Sequence, residues 1–330
     1  PNAVDRSFMI EKYSRLLERE IKKQRYGKQP VSLYEPIRYL MALGGKRLRP
    51  MLAMLAYSLY KKDVQNVVKY AAAVEAFHNF TLMHDDIMDK APLRRGKPTV
   101  HEKWNVNTAI LSGDVMLVKV YDMLLDINED QVKDVFRAFN KCASEVCEGQ
   151  QWDMEFETRD DVTEAQYLNM IKQKTAVLLG FSLELGAMLA DASPADCRSL
   201  REFGINIGIG FQLKDDLLDA YADSKKFGKQ VGGDIIANKK TFLLIKSLAL
   251  ADRKQKQELQ HWISLPKFNK SDKVNAVRGI YDALAIPVLT EKKINSYFKK
   301  GFSRLEGLDC SDKTKSLLVG YTRQLIGRES

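Results

Sequence analysis

Apolar residues recur three or four positions apart along most of the chain, which is the spacing of an amphipathic α-helix. Residues 5–25 show this pattern among many charged residues, at Phe8, Ile10, Tyr13, Leu16, Leu17 and Ile21. Residues 32–43 predict a second helix, with Pro36 in its first turn and the glycines at 44 and 45 ending it. The N-terminal part of the chain is therefore predicted to be helical.

The following segments are longer and more apolar, as expected for helices that are buried on most sides. They are residues 51–60, 64–89, 105–126, 131–148, 164–190 and 195–220. Beyond residue 241 the sequence predicts charged helices, with a loop at Ser264–Lys270 and a turn at Ile286–Pro287. The sequence shows neither an alternating Val/Ile/Thr strand pattern nor a linker. We therefore predict an all-α protein with a single domain over residues 1–330.

The composition fits a globular protein that binds an anionic ligand. Of the 330 residues, 45% are hydrophobic and 29% charged, with a net charge of +9. The basic residues cluster beside Gly or Pro, at Lys46–Arg49, Arg94–Lys97, Lys225–Lys229 and Lys239–Lys240. This grouping favours loops around one anionic site, because a nucleic-acid surface would need a basic stripe interleaved with aromatic residues. No nucleic-acid partner is predicted.

The cysteines and the apolar runs indicate the cellular compartment and whether the chain enters a membrane. Cys142, Cys147, Cys197 and Cys310 form no CxxC pair and no metal-finger spacing, which is typical of reduced thiols in the cytoplasm. The longest apolar run, Ala176–Ala190, contains Glu184 and is too short to span a bilayer. We therefore expect a cytoplasmic protein without stable membrane insertion.

A group of aspartates in the stretch HNFTLMHDDIMDKAPLRRG (78–96) is the first sign of chemistry. Asp85 and Asp89 are one helical turn apart on the same face, and Asp86 lies on the flank. Their repulsion costs a helix roughly 0.2–0.5 kcal/mol, and more where the helix is buried. A cation should offset this repulsion: either the arginines Arg94 and Arg95, or a divalent metal.

The same spacing recurs 130 positions later in FQLKDDLLDAY, at Asp215, Asp216 and Asp219. Each cluster follows an apolar helix and precedes a basic loop that contains glycine; the second loop is GKQVGGDIIANKKT. Mg²⁺ is often held by one or two carboxylates together with substrate phosphates. No set of His and Cys residues competes for a softer metal. Two such clusters therefore predict Mg²⁺ bridged by a diphosphate.

The segment GGKRLRP (44–50) offers a second place for a diphosphate. Its glycines permit close backbone approach, and Lys46 and Arg49 enter the next helix on one face near its positive end. The alternative is a helix cap followed by solvated charges. The sequence has neither a GxxxxGK[ST] loop nor a GxGxxG fingerprint, which argues against a nucleotide kinase or a dehydrogenase.

Taken together, the motifs carry a family resemblance. GGKRLRP, HDDIMDKAPLRRG, Lys174-Thr175, FQLKDDLLD and GKQVGGDIIANKKT resemble the motifs of the trans-isoprenyl diphosphate synthases, in the same order. The resemblance to this polyprenyl synthetase family runs from about residue 30 to the C-terminus. It implies the all-α isoprenoid synthase fold, one large helical bundle around a central cavity, and a homodimer. The implied reaction is the Mg²⁺-dependent condensation of isopentenyl diphosphate with allylic diphosphates.

The resemblance also implies roles for the motif residues. Asp85, Asp89 and Asp215 would hold three Mg²⁺, with Asp86 and Asp219 in support and Asp216 completing the catalytic aspartates. The allylic diphosphate would be bound by Arg94, Lys174, Lys229 and Lys239, with Thr175 and Gln212 nearby, and Lys174 counts as catalytic. Isopentenyl diphosphate would lie on Lys46, Arg49, His78 and Arg95. Taken alone, a histidine such as His78 is more typical of a satisfied core residue, and the company of both aspartate motifs reverses this preference.

Residues before Asp85 would limit the length of the product. In this family an aromatic residue five positions before the first aspartate acts as a floor, and here that residue is Phe80. Thr81 and Phe77 stand four and eight positions before Asp85. An aromatic residue at minus five alone, with an uninterrupted DDIMD, resembles archaeal-type geranylgeranyl synthases. We therefore favour the twenty-carbon product, with farnesyl diphosphate as the alternative.

Two further classes of protein are weighed against this assignment. Terpene cyclases generally lack the second DDxxD motif and the GGKRLRP segment, and both are present here. Non-catalytic subunits of heteromeric synthases usually lose aspartates or basic residues from one motif. All six aspartates and both arginines that follow the first motif are present, which argues against such a subunit.

Overall fold

The computed structural model describes residues 2–222 and 231–327, and α-helices dominate this part of the chain. The helices are α1 (Ala3–Lys23), α2 (Val31–Ala42), α3 (Leu48–Ser58), α4 (Val68–Met88), α5 (Val100–Lys103), α6 (Val106–Leu124), α7 (Glu129–Phe156), α8 (Glu164–Ile171), α9 (Val177–Leu189), α10 (Pro194–Tyr221), α11 (Gly233–Ile236), α12 (Phe242–Leu250), α13 (Arg253–Ser264), α14 (Lys270–Ala283), α15 (Ile286–Ser303) and α16 (Asp312–Gly327). The prediction of an all-α protein is confirmed. Lys229 lies outside the described residues.

Shorter elements interrupt the helices. They are a 3₁₀ turn (Val64–Asn66), a π-helical segment (Lys172–Ala176) and the strands β1 (Leu93–Arg94) and β2 (Lys97–Pro98). Neither the strands nor the π-helical segment is predicted by the sequence pattern, because each is only a few residues long. Both elements carry predicted site residues.

The chain divides into two compact units. Unit 1 contains the residues up to Asn140 together with Phe181–Arg201 and Leu308–Tyr321. Unit 2 contains Lys141–Gly180, Glu202–Gly307 and the residues from Thr322 onward. The single domain over residues 1–330 stays a prediction.

In unit 1 the chain is organised around α4. Its alanines Ala71, Ala72, Ala73 and Ala76 are at most 1% exposed, as expected for a helix that is apolar on most sides. Small side chains let neighbouring helices approach α4 closely, which fixes this helix within a dense core. The first aspartate motif lies at the C-terminal end of α4.

In unit 2 a second apolar core supports the other aspartate motif. It consists of Ala220, Ile235, Leu243, Leu244, Leu259, Val274, Val277, Ile280, Tyr281 and Ile286. Ala220 directly follows Asp219, and Ile235 directly follows Asp234. The acidic residues are thereby attached to buried positions, which restricts their movement.

Side-chain caps define where several helices begin. Asn105 accepts a hydrogen bond from the backbone N–H of Thr108 at 2.8 Å, at the start of α6. Thr163 and Gln166 form a reciprocal capping box at the start of α8. Over the described ranges, no helix is both long and apolar enough to cross a membrane.

Candidate active site

The two outer aspartates of the first motif lie where α4 ends. The backbone N–H of Asp89 donates to the carbonyl of Asp85 at 2.8 Å, and Lys90 follows with a φ of 52°. Asp85 is half-buried and Asp89 is exposed. The helix end therefore presents these carboxylates at the surface of unit 1.

The middle aspartate of the motif has a different environment. Asp86 is 4% exposed, and its two carboxylate oxygens accept hydrogen bonds from Nε and NH2 of Arg94, each at 2.8 Å. Such a bidentate pair is both strong and directional. Of the two cations expected to offset the repulsion between the aspartates, arginine or a divalent metal, it is an arginine that pairs with Asp86. The same pair orients Arg94, for which the family resemblance implies contact with a diphosphate.

A hairpin carries the two arginines. Strands β1 and β2 pair antiparallel and are joined by Arg95 and Gly96, which have φ values of 50° and 76°. Two residues with positive φ are typical of a tight type I′ hairpin, in which glycine avoids a steric clash. This turn restricts the backbone that carries the side chains of Arg94 and Arg95.

Arg95 reaches the GGKRLRP segment. Its guanidinium donates a hydrogen bond to the carbonyl of Gly44. Gly45 has a φ of 133°, which side chains disfavour, and a Cβ atom there would lie 2.6 Å from Nη2 of Arg95 and would displace the guanidinium. Burial and the neighbouring Arg94 lower the pKa of Arg95, because like charges crowd this region. An anion bound here would relieve the crowding.

His78 joins this cationic cluster as a neutral imidazole. Its Nε2 lies 3.4 Å from NH1 of Arg49. Burial, followed by the positive charges of Arg49 and Arg95, lowers the pKa of His78 well below its usual value. Since arginine can only donate, Nε2 must accept, and the proton of the neutral ring therefore sits on Nδ1. Arg49, His78 and Arg95, three of the four residues predicted to bind isopentenyl diphosphate, are thus brought together. The fourth, Lys46, is exposed in the GGKRLRP segment.

Aromatic side chains gather around the residues predicted to limit product length. The ring of Phe80 lies 5.8 Å from that of Phe77 and 4.9 Å from that of His84. Phe77 is 1% exposed and packs edge-on against Phe139 at 5.0 Å. The hydroxyl of Thr81 donates to the carbonyl of His78 at 2.6 Å. That hydroxyl is therefore satisfied within α4.

The sequence does not indicate the remaining members of this aromatic group. Phe139 also contacts Tyr121 at 5.1 Å and Phe181 at 5.7 Å between ring centroids. These residues come from α6, α7 and α9 and share no motif with Phe80. Their role depends on tertiary contacts, for which a single sequence carries no periodic signal.

In unit 2 the second aspartate motif also has a buried middle aspartate between two more exposed ones. Asp216 is 2% exposed and accepts hydrogen bonds from the hydroxyl of Tyr167 and from Nε2 of Gln212 at 3.2 Å. Burial raises the pKa of Asp216 to about 7, although the Tyr167 hydrogen bond acts in the opposite direction. Asp215 is exposed and Asp219 is half-buried. In both motifs the middle carboxylate is therefore buried and hydrogen-bonded.

Asp219 holds the backbone at Gly232 and Asp234. Its Oδ2 accepts from the backbone N–H of Asp234 at 2.8 Å, and its carbonyl accepts from the N–H of Gly232 at 2.7 Å. Desolvation lowers the pKa of Lys239, but the carboxylates of Asp234 and Asp216 outweigh it and raise the pKa overall. Lys239 therefore stays cationic beside the second motif.

Lys174 and Thr175 lie in the π-helical segment. Nζ of Lys174 is 2.5 Å from Oδ2 of Asp153, a partner that the sequence did not identify. A Cβ atom on Gly149 would lie 2.3 Å from the backbone N of Lys174, so α7 and this segment require glycine to approach so closely. π-helical turns occur frequently at functional sites, since they redirect side chains. Thr175 is half-buried beside Lys174.

The donor set fits Mg²⁺ bound in the substrate-assisted mode. Within the described part of the chain, no group of three or more His, Cys, Asp or Glu residues is arranged to hold a metal ion alone. Mg²⁺ commonly takes only one or two protein carboxylates and completes its shell with phosphates and water. The outer aspartates of each motif supply hard oxygen donors of this kind at the surface of their units.

The comparisons with known proteins agree with this picture. A geranylgeranyl diphosphate synthase of Methanosarcina mazei is 38% identical over 309 residues, which are 91% of each chain. A geranylfarnesyl diphosphate synthase of Natronomonas pharaonis is 38% identical over 66% of this chain and 69% of its own. The crystal structure of a Pyrococcus horikoshii geranylgeranyl pyrophosphate synthetase superposes with a TM-score of 0.91 at 32% identity, covering 100% of both chains.

The family model of the polyprenyl synthetases matches residues 30–281. This range contains both aspartate motifs, the GGKRLRP segment and the π-helical Lys174-Thr175 pair. The chain therefore belongs to the polyprenyl synthetase family and has its all-α isoprenoid synthase fold.

Proposed function

We propose that the protein condenses isopentenyl diphosphate with allylic diphosphates in an Mg²⁺-dependent reaction that ends at geranylgeranyl diphosphate. The observation that carries the proposal is the repeated arrangement of outer aspartates beside cationic side chains. In unit 1 Arg94, held by Asp86, follows Asp85 and Asp89 in the chain, and in unit 2 Asp219 is one of the carboxylates that raise the pKa of Lys239. The names of the relatives from Methanosarcina and Pyrococcus support the twenty-carbon product.

The allylic diphosphate would be bound by residues of both motifs. Asp85, Asp89 and Asp215 would hold the Mg²⁺, three ions per site, with Asp86 and Asp219 in support. Bound Mg²⁺ would neutralise the diphosphate and improve it as a leaving group. Lys174 and Lys239 would bind the same group and stabilise the charge that grows on it, with Gln212 and Thr175 nearby. For Arg94 the role is supported by its fixed orientation against Asp86, and for Lys229 by the motif alone.

Bond making and breaking then follow from this binding. The C–O bond of the allylic substrate breaks, and the diphosphate leaves with the electron pair. The double bond of isopentenyl diphosphate attacks the allylic cation, and a new C–C bond forms. One proton is lost to the departing diphosphate. The apolar side chains around Phe80 exclude water, which would otherwise capture the cation.

Product analysis tests the function directly. The purified protein should be supplied with labelled isopentenyl diphosphate, Mg²⁺ and each allylic starter in turn, and the products separated by chromatography. We expect geranylgeranyl diphosphate as the main end product. Farnesyl diphosphate as the end product would favour the alternative enzyme. No product from any starter would contradict the proposed function and favour a non-catalytic subunit.

Isopentenyl diphosphate would bind to Lys46, Arg49, His78 and Arg95. We predict that Arg49→Ala raises the KM for isopentenyl diphosphate about ten- to a hundredfold, the cost of one charged hydrogen bond. The KM for the allylic substrate should stay within about twofold, because Arg49 lies at the other diphosphate. Steady-state kinetics with one substrate saturating separates the two values. Arg137→Ala, on an exposed face of α7, serves as the control.

An equal rise of both KM values in Arg49→Ala would contradict the assignment of this site. A rise in the Arg137→Ala control would show instead that loss of surface charge alone affects binding. The neutral state of His78 adds to the expectation, since the imidazole orients Arg49 without adding a competing charge.

The homodimer is supported by an exposed apolar face on α6. Val106, Ile110, Leu111 and Val118 are between 40% and 59% exposed, and Leu125 follows just beyond the helix at 59%. Large apolar side chains grouped on one surface are typical of an interface. We expect light scattering to give twice the chain mass of 37.6 kDa.

We predict that Val118→Glu shifts the protein to monomer, because an interface would bury this charge without a partner. Val288→Glu is the matched control, since Val288 is 54% exposed on α15. A Val118→Glu protein that keeps the dimer mass would contradict this interface.

The cytoplasm is the proposed compartment: the four cysteines all lie in the described ranges and form no disulfide there.

A further inference from the structure

Arg47 stands between the two residues of GGKRLRP that are assigned to isopentenyl diphosphate, yet its environment differs from theirs. Lys46 is exposed and Arg49 is half-buried, whereas Arg47 is only 7% exposed. Its backbone has a φ of 52°, in the left-handed region that non-glycine residues rarely occupy. A buried, strained arginine in a basic loop needs a structural reason.

The side chain of Arg47 connects three helical elements of unit 1. Its Nε donates to Oε1 of Glu18 on α1 at 2.9 Å. Its NH2 donates to the carbonyl of Met41 in α2 at 2.8 Å. Its NH1 lies 3.9 Å from Oε1 of Glu75 on α4. The guanidinium therefore ties the loop to elements on three sides.

Glu75 is a buried counter-charge for this guanidinium. It is 3% exposed, and Nδ2 of Asn79 donates to its Oε1 at 3.0 Å and to its carbonyl at 2.9 Å. Burial raises the pKa of Glu75, and Arg47 is the foremost of the neighbouring cations that lower it. Nη1 of Arg47 is buried and makes no hydrogen bond to the described part of the chain, so its compensation is the charge of Glu75.

These contacts make Arg47 an unfavourable phosphate ligand. Its side chain is 6% exposed, two of its nitrogens donate to protein oxygens, and the third lies 3.9 Å from the buried carboxylate of Glu75, which would repel an anion. A strained backbone conformation persists where the surroundings hold it in place. Here the surroundings are the contacts of the side chain itself. The conformation of the loop therefore depends on the burial of Arg47.

We propose that Arg47 is a positioning residue for the isopentenyl diphosphate site: its buried guanidinium, neutralised by Glu18 and Glu75, anchors the loop that presents Lys46 and Arg49. This inference rests on the proposed function, because it names what holds the second diphosphate site in shape. Without the anchor, Lys46 and Arg49 keep their charges but lose their fixed placement. Binding weakens because the loop must be ordered anew each time.

Arg47→Lys tests the proposal, since lysine keeps the charge but lacks the planar guanidinium fork that reaches Glu18 and the Met41 carbonyl at the same time. We expect the KM for isopentenyl diphosphate to rise about tenfold, while the allylic KM and kcat stay within about twofold. Amide hydrogen exchange in residues 44–49 should become faster, because this segment loses its anchor. Arg201→Lys is the matched control: Arg201 forms a 2.9 Å ion pair with the buried Glu184 in the same unit.

The outcomes separate the proposal from general destabilisation. If Arg47→Lys and Arg201→Lys change the kinetics alike, or if both KM values rise equally in Arg47→Lys, the proposal is wrong. If Arg47→Lys does not fold, Glu18→Gln decides, because the Glu18 side chain is 39% exposed and tolerates the change. We expect a rise of about threefold in the isopentenyl KM of Glu18→Gln. An unchanged value would overturn the proposal.

Failure of the proposed function would look different. A wild-type protein that makes no prenyl product refutes the proposed function, while hydrogen exchange in Arg47→Lys still tests the anchor. If Arg49→Ala raises the isopentenyl KM and Arg47→Lys leaves it unchanged, the function stands and the positioning role is refuted.

Discussion

Asp85→Asn and Asp215→Asn are each expected to lower kcat by at least about a thousandfold, because electrostatic stabilisation of the departing group is lost. These two aspartates are outer members of their motifs, at the surface of units 1 and 2. Asparagine keeps the size and one oxygen but removes the charge that would attract Mg²⁺. The melting temperature should stay close to that of the wild type, because neither position is buried. Activity is measured over a range of Mg²⁺ concentrations.

The Mg²⁺ dependence distinguishes metal binding from other effects of the charge. A variant with a weakened metal site should need more Mg²⁺ to reach its own maximum rate. Asp134→Asn, with a side chain 67% exposed on α7, is the control for loss of a surface carboxylate. Near-normal turnover in either Asp85→Asn or Asp215→Asn would refute the metal assignment.

Phe80→Ala is expected to change the main product from twenty to twenty-five carbons. Phe80 lies five residues before Asp85, about 7.5 Å along the axis of α4, and Phe77 lies about 4.5 Å beyond it. Removing the Phe80 ring would open space for the growing chain until it meets Phe77. Phe77 stays in place because it packs against Phe139. Chromatography of the products formed from labelled isopentenyl diphosphate measures the shift.

Phe302→Ala is the matched control, since Phe302 is also half-buried but lies on α15 in unit 2. Loss of a buried phenylalanine costs a protein about 3–5 kcal/mol, so both variants should be assayed well below their melting temperatures. An unchanged product distribution in Phe80→Ala would eliminate the role of Phe80 as a floor. A longer product in Phe302→Ala would point to loosened packing in general.

The helices were predictable because their apolar period is long and regular. The 19-residue helix Val106–Leu124 falls within the predicted segment 105–126. The hairpin of Arg94 and Arg95 was not predictable, because two-residue strands show no alternation. The sequence predicts an ordinary helix where the π-helical segment lies, since its five residues do not disturb the surrounding apolar pattern.

The motifs identify the acidic residues, but they do not show which aspartates are buried and which lie at the surface. From spacing alone Asp86 resembles Asp85, and Asp216 resembles Asp215. Burial separates them: Asp86 is 4% and Asp216 is 2% exposed, and each is hydrogen-bonded by its own unit. The partner Tyr167 is 49 residues from Asp216, so its contribution depends on tertiary packing.

Arg47 shows the same limit for basic residues. In sequence it is one of three cations within four positions, and composition suggests a shared task. The left-handed backbone turns its side chain inward to Glu18, while Lys46 remains exposed. Local sequence gives no sign of this reversal, because the acidic partners lie 29 residues before it and 28 after it.

The π-helical segment at Lys172–Ala176 also sets the rotation of the helix that follows it. A π turn takes up one more residue than an α turn, and one residue corresponds to about 100° around the helix axis. Deleting one residue there would turn Lys174 away from Asp153 and rotate the whole of Val177–Leu189. The contact of Lys174 with Asp153 and the packing of the buried helix Val177–Leu189 therefore both depend on the number of residues in this one segment.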